Sequence, residues 1–110
     1  MKKLRYFWKG EYYFIDLYED NTIEKFTQYE TRNKTSKFEF CIGLTDKNGK
    51  EIYDGDFARI TNDDTVYIVS YHQSSFVLKT IQGGVWVYNL NHKIIEVIGN
   101  IHENLELLQN

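Results

Sequence analysis

Proline is absent from the 110 residues, and cysteine and methionine occur once each. Without proline there is no polyproline spacer or rigid linker of the kind that separates modules. The lone Cys41 excludes an internal disulfide and leaves too few thiols for a cysteine-based zinc site, which fits a reducing cytoplasm. No apolar run approaches the roughly 20 residues of a membrane-spanning helix, so a soluble protein without membrane contact is expected. The opening MKKLRYFWKGEYYF places basic residues before an apolar patch, but Lys9, Gly10 and Glu11 interrupt it short of a signal-peptide core. Strong charge of either sign is also lacking, because 13 Lys and Arg face 16 Asp and Glu. The imbalance is uneven: residues 1–37 carry eight basic and six acidic side chains, residues 38–110 five and ten. An acidic lobe is poorly suited to neutralising duplex phosphates. Arg32, Lys34 and Lys37 form the one cluster that could contact a polyanion, and a solvated loop explains them as well.

What is present is aromatic and β-branched. Seven Phe, nine Tyr and two Trp are enough for one packed core in a chain of this length. Apolar runs of strand length alternate with short polar breaks. Leu4 to Trp8 and Tyr12 to Tyr18 flank Lys9-Gly10-Glu11, and Thr22 to Tyr29 reads as a third strand of a small N-terminal β lobe. Ile23, Phe26 and Glu30 also permit a helix capped by Asn21, with Glu24 three residues on. Residues 30–37, ETRNKTSK, read as an exposed connection. Phe57 to Ile60, Val66 to Tyr71, Phe76 to Ile81, Val85 to Leu90 and Ile94 to Ile101 predict a five-stranded meander in a lobe spanning residues 38–110. Consecutive antiparallel pairing and closure into an SH3-like barrel follow as the expected arrangement. HENLELLQN predicts a short helical turn, with Asn100 and Glu103 at capping-box spacing or Asn104 as the cap. The fold class is therefore mainly β, within a single domain.

The stretch CIGLTDKNGKEIYDGDFARI concentrates carboxylates and glycines. Asn48-Gly49 predicts a type I′ hairpin turn between Phe38 to Leu44 and Glu51 to Tyr53. A calcium loop counted from Asp46 needs Gly at position six and Glu at position twelve, where Glu51 and Phe57 stand. Gly55 suits a bulge or tight bend, with Asp54 and Asp56 bonding local amides. The chemical alternative pairs Asp54 or Asp56 with Glu51 as acid and base.

Gly43 to Asp56 and Val97 to Leu108 together resemble the YopX family. Gly43, Leu44, Asp46, Lys47, Asn48, Gly49, Lys50, Glu51, Ile52, Tyr53, Gly55 and Asp56 match the pattern G-L-x-D-K-N-G-K-E-I-Y-x-G-D. Ile98, Gly99, Asn100, Ile101, Glu103, Asn104, Glu106, Leu107 and Leu108 match I-G-N-I-x-E-N-P-E-L-L, with Leu105 in place of the usual Pro. Leu4-Arg5-Tyr6-Phe7-Trp8-Lys9 is a loose echo of the F-R-A-W-D with which members commonly begin. The resemblance implies a bacteriophage or prophage protein of the host cytoplasm, and it carries over no catalytic residues.

Other chemistry is sparse. His72, His92 and His102 lack metal-ligand spacing, no serine sits in a nucleophile elbow, and Gly83-Gly84 is too short to cradle phosphate, so no metal or other cofactor is expected. Cys41, between Phe40 and Ile42, reads as a buried apolar residue. Val66 to Tyr71 and Val85 to Tyr88 are apolar on both strand faces, which makes Tyr67, Tyr71, Trp86 and Tyr88 candidates for an interface in a homo-oligomer or with a host protein. These strand faces could instead be covered within the chain, or Trp86, Tyr88 or Tyr71 could stack bases of a single strand. A non-enzymatic interaction or assembly module is the expectation, with a nucleic-acid-binding accessory factor as the alternative.

Overall fold

Alternation along the first apolar runs sets the first hairpin. In a computed structural model of the chain, which describes residues 3–32, 37–72, 75–80, 86–87 and 92–108, strands β1 (Lys3–Trp8) and β2 (Glu11–Asp16) pair antiparallel from Trp8↔Glu11 to Lys3↔Asp16. Lys9 (φ 48°) and Gly10 (φ 85°) both take positive φ, so the primed two-residue turn lies here. β2 stops at Asp16, whose Oδ1 accepts the Tyr18 amide at 2.9 Å and turns the chain.

The third strand expected over Thr22 to Tyr29 is a helix, α1 (Thr22–Arg32). The reason is local: Asn21 accepts the Lys25 amide through its carbonyl, Glu24 lies in the first turn, and Phe26 and Tyr29 share one face. That face packs on buried Leu4, Tyr6 and Ile15, with Tyr29 edge-on to Tyr6 at 4.9 Å and Phe38 closing the cluster. The helix also takes up the start of the expected exposed connection, while Lys37 is exposed.

Strands β3 (Glu39–Thr45) and β4 (Glu51–Tyr53) join the first sheet, in the order β2-β1-β3-β4, instead of the C-terminal lobe. Register Leu4↔Phe40 and Arg5↔Glu39 makes this join, placing apolar against apolar and cation against carboxylate. The β3–β4 connection, residues 46–50, is not a primed turn: the Asp46 amide donates to the Lys50 carbonyl at 2.7 Å and closes a three-residue loop. Gly49 alone in it has positive φ (83°), and its amide donates to the Asp46 carbonyl at 3.0 Å.

Strands β5 (Asp56–Ile60), β6 (Tyr67–His72), β7 (Ser75–Lys79), β8 (Trp86–Val87) and β9 (Ile95–Asn100) form the second sheet in the order β8-β7-β6-β5-β9. The meander runs consecutively through β8, but β9 returns to β5, and among the described residues no closed barrel is found. Ile52, Ala58, Tyr67, Val69, Leu78 and Ile95 form its core. Tyr67 is therefore a core residue, with its hydroxyl on Asp63 Oδ2 at 2.8 Å, which corrects its assignment to an interface. Short 3-10 turns at His92–Ile94 and Leu105–Leu108 flank β9, so the terminal turn forms without the usual proline.

Candidate functional site

One cation stands in the middle of β1. Strand alternation points Arg5 away from Leu4 and Tyr6, toward the face shared with Phe7, Tyr12 and Phe14. Its Nε donates to Glu39 Oε1 at 2.8 Å and its Nη2 to Asp56 Oδ1 at 2.6 Å, with all three residues buried. The guanidinium lies between two rings, 4.0 Å from the Tyr12 centroid and 4.4 Å from that of Tyr53. Tyr12 also donates its hydroxyl to Glu39 Oε1 at 3.0 Å. His102, from the turn after β9, brings Nε2 to 2.9 Å from Glu39 Oε2 and stacks on Phe7 at 4.5 Å. Residues from β1, β2, β3, β5 and the C-terminal turn thus meet on one buried charge.

Burial opposes the charge on Arg5, but Asp56 and Glu39 outweigh it and hold the guanidinium above its ordinary pKa. Asp56 is pushed up by burial, against the pull of Arg5 and the Tyr53 amide at 2.8 Å. Each carboxylate oxygen has a partner: Glu39 meets Arg5, Tyr12 and His102, and Asp56 meets Arg5 and the Tyr53 backbone. Groups engaged in this way orient the strands that carry them.

The two motif segments converge here. The Gly55 carbonyl accepts the Ile101 amide at 3.0 Å and its amide donates to Val69, bridging the C-terminal turn and β6. Gly55 has φ 91°, and a Cβ on it would lie 2.8 Å from Glu39 Oε2. Asn100 Oδ1 accepts the His102 and Glu103 amides at 3.0 Å, and its Nδ2 reaches Glu103 Oε1 at 3.1 Å. Asn104 Oδ1 accepts the Asn100 amide at 3.1 Å, and Gly99 leaves the room for that side chain. Ile98 lies within β9, half-buried. At the other end of β9, buried Asp46 accepts amides from Asn48, Lys50 and Val97, each at 2.9 Å. Burial works against its charge, but these amides prevail and hold its carboxyl below the usual range. The DKNGK loop is thereby tied to β9, with Lys47 donating its amide to Ile95 at 2.9 Å.

Beside the junction lies a cleft of about 410 Å³, with Phe14, Ile15 and Tyr53 among its walls and Lys3, Lys50 and Glu51 among its charged lining. Glu51 is paired with Lys3 at 2.9 Å and touches Cys41 Sγ at 3.6 Å. Burial pushes the Cys41 thiol up, as suits an unreactive core residue. Asp54, pushed up by burial and then by Glu39, and Asp56 are not among the residues that line this cleft. Gly43 has positive φ (86°) on β3. No cluster of three metal-ligating side chains occurs among the described residues.

Of the interface candidates, Tyr71 and Trp86 stand on β6 and β8, and Tyr88 lies outside the described residues. Of the basic candidates, Arg32 ends α1, Lys34 lies outside the described residues and Lys37 is exposed. Arg5, Glu39, Tyr12 and His102 went unidentified in the sequence. The available signal was Arg5 itself, a charge inside an otherwise apolar run.

A family model described as YopX protein matches residues 2–109. No curated protein matches the chain.

Proposed function

We propose, for a chain that belongs to the YopX family, a non-enzymatic interaction or assembly module encoded by a phage or prophage and acting in the bacterial cytoplasm, as a homo-oligomer or on a host protein. The observation that carries this reading is the division of labour between buried and exposed groups. The motif residues are spent on joining the two sheets through Arg5, Glu39, Asp56 and Asp46, with every oxygen of the Arg5 carboxylates engaged. Apolar surface is left outside at the β2–α1 corner, where Phe14 is 49%, Tyr18 78% and Ile23 81% exposed. Exposed apolar groups gathered in one region favour a protein partner. The return of β9 beside β5 after a meander supports an SH3-like arrangement of the second sheet.

No helix among the described residues is long and apolar enough to cross a membrane. The alternative, a nucleic-acid-binding accessory factor, rests on the strand aromatics and on Arg32, Lys34 and Lys37. Light scattering over a concentration series, with and without a single-stranded oligonucleotide at two salt concentrations, separates the readings. Mass that rises with protein concentration and ignores the oligonucleotide supports assembly. Salt-dependent binding of the strand supports the alternative, and a monomer that binds no strand leaves the host-protein form to affinity capture from infected cells.

A further inference from the structure

We infer that the groove between β2 and α1 receives an extended peptide segment of a partner protein, which adds to the edge of the first sheet and sets a carboxylate on Lys25. This rests on the interaction reading above and names its surface.

β2 ends the first sheet, whose order is β2-β1-β3-β4. The Lys9-Gly10 turn fixes which of its backbone groups face outward. A primed two-residue turn closes on a hydrogen-bonded pair, here Trp8↔Glu11, and antiparallel pairs alternate from there. Glu11, Tyr13 and Ile15 therefore bond to β1, while Tyr12, Phe14 and Asp16 turn their amides and carbonyls away from the sheet. The Asp16 carbonyl is used, by the Thr22 hydroxyl at 2.9 Å and the Glu19 amide at 3.2 Å. Among the described residues the Phe14 carbonyl holds only Lys25 Nζ, at 3.3 Å. Among the described residues nothing else bonds these outward groups, so both groups of Tyr12 and the amide of Phe14 make a short strand template.

Along this template runs a groove of about 280 Å³, walled by consecutive residues Tyr12, Tyr13, Phe14 and Ile15 and, on the helix, by Lys25 and Gln28. An edge strand with a helix set beside it is the geometry for β-augmentation, in which main-chain bonds hold the peptide and alternate side chains enter flanking pockets. One set of peptide side chains would meet Tyr12 and Phe14, the other Tyr13 and Gln28.

Charge fixes the chemistry further. Lys25 is the one charged side chain among those lining the groove. Its contacts are loose, 3.3 Å to the Phe14 carbonyl and 3.6 Å to Glu19 Oε2, where a charge-assisted bond closes to about 2.8 Å. An incoming amide takes the Phe14 carbonyl and frees the ammonium for a peptide carboxylate. Until then Lys25 covers the edge, as lysines on edge strands do. A second copy pairing edge to edge would bring its own α1 with it, since that helix lies beside β2 in every copy. A bare extended segment carries no such bulk.

The test is selection of short random peptides from a display library on the full chain, followed by anisotropy with synthetic copies of the selected peptides. Alternating apolar residues with Asp or Glu should be enriched. Phe14→Pro deletes the outward amide without breaking the β1 ladder and should weaken binding about tenfold or more. Lys25→Glu should reverse the preference for acidic peptides, and it stands alone if Phe14→Pro fails to fold. Selected peptides indifferent to both changes would overturn the groove while leaving the interaction reading intact, and failure to select any peptide would also overturn it. The oligomer measurement is independent of either outcome.

Discussion

Arg5→Met removes the charge while keeping most of the side chain's length and apolar contact. Arg5 is 5% exposed and its partners Glu39 and Asp56 are 8% and 1% exposed, so the change takes the guanidinium from two buried carboxylates, with His102 still beside Glu39. Breaking a buried pair from one side costs about 3–5 kcal/mol. The ring contacts with Tyr12 and Tyr53 belong to the same network and are not added separately. Against about 5–15 kcal/mol for a whole domain this is a large share. At a urea slope of about 2 kcal/mol/M it lowers the unfolding midpoint by roughly 2 M. Neutralising the partners as well, in Arg5→Met/Glu39→Gln/Asp56→Asn, should recover much of the loss, because the unpaired charges are the source of the cost. Acid should narrow the gap between the single variant and wild type. A buried carboxyl without its cation has a folded pKa above the unfolded one, so its stabilisation is present at low pH and lost as pH rises through the folded value. Urea unfolding by tryptophan fluorescence, repeated across pH, reads all of this. A loss below about 1 kcal/mol for Arg5→Met, or a triple variant no better than the single, would refute the argument.

Gly55→Ala should cost more than Gly49→Ala by about 1 kcal/mol or more in the same assay, since both glycines have positive φ but only at Gly55 would the new methyl strike Glu39. Gly49→Val should lower stability by more than about 1 kcal/mol, because a β-branched side chain resists the left-handed region, and an unchanged midpoint would deny the loop geometry. Asp46→Asn turns an amide nitrogen toward a backbone donor and should cost about 1–3 kcal/mol at neutral pH. The Asp46 carboxyl titrates below its ordinary value in the folded chain, so its contribution is present above about pH 4 and fades as pH falls. A wild-type advantage that persisted undiminished at low pH would contradict that.

The strands were legible where alternation is strict. β1, β2, β5, β6 and β7 fall within a residue or two of where apolar periodicity puts them, except that β2 yields to the Asp16 turn. α1 was half legible, because its β-branched and aromatic residues favour a strand while the spacing of Phe26 and Tyr29 fits a helix. The choice is made by Tyr6 and Phe38, which lie outside the helix, on β1 and just before β3, and accept the aromatic face. Sheet membership of β3 was not legible, since it depends on the pairing of Arg5 with Glu39 across 34 residues. The motif residues were visible, and their shared purpose was not. Asp46 and Val97 are 51 positions apart, and only the return of β9 to β5 makes them neighbours. The edge of β2 was hidden for the same reason, because the Lys9-Gly10 break marks a hairpin without saying which strand ends the sheet.

Residue-resolved amide hydrogen exchange tests the central claim, that the motifs lock the two sheets while the β2 edge stays open. The amides of Tyr53, Gly55, Val97 and Ile101, bonded to Asp56, Val69, Asp46 and Gly55, should exchange only through global opening. Those of Tyr12 and Phe14 should exchange rapidly at a concentration where the protein has no added partner. Fast exchange at Ile101 and Tyr53, or protection at Phe14 equal to theirs, would contradict the account.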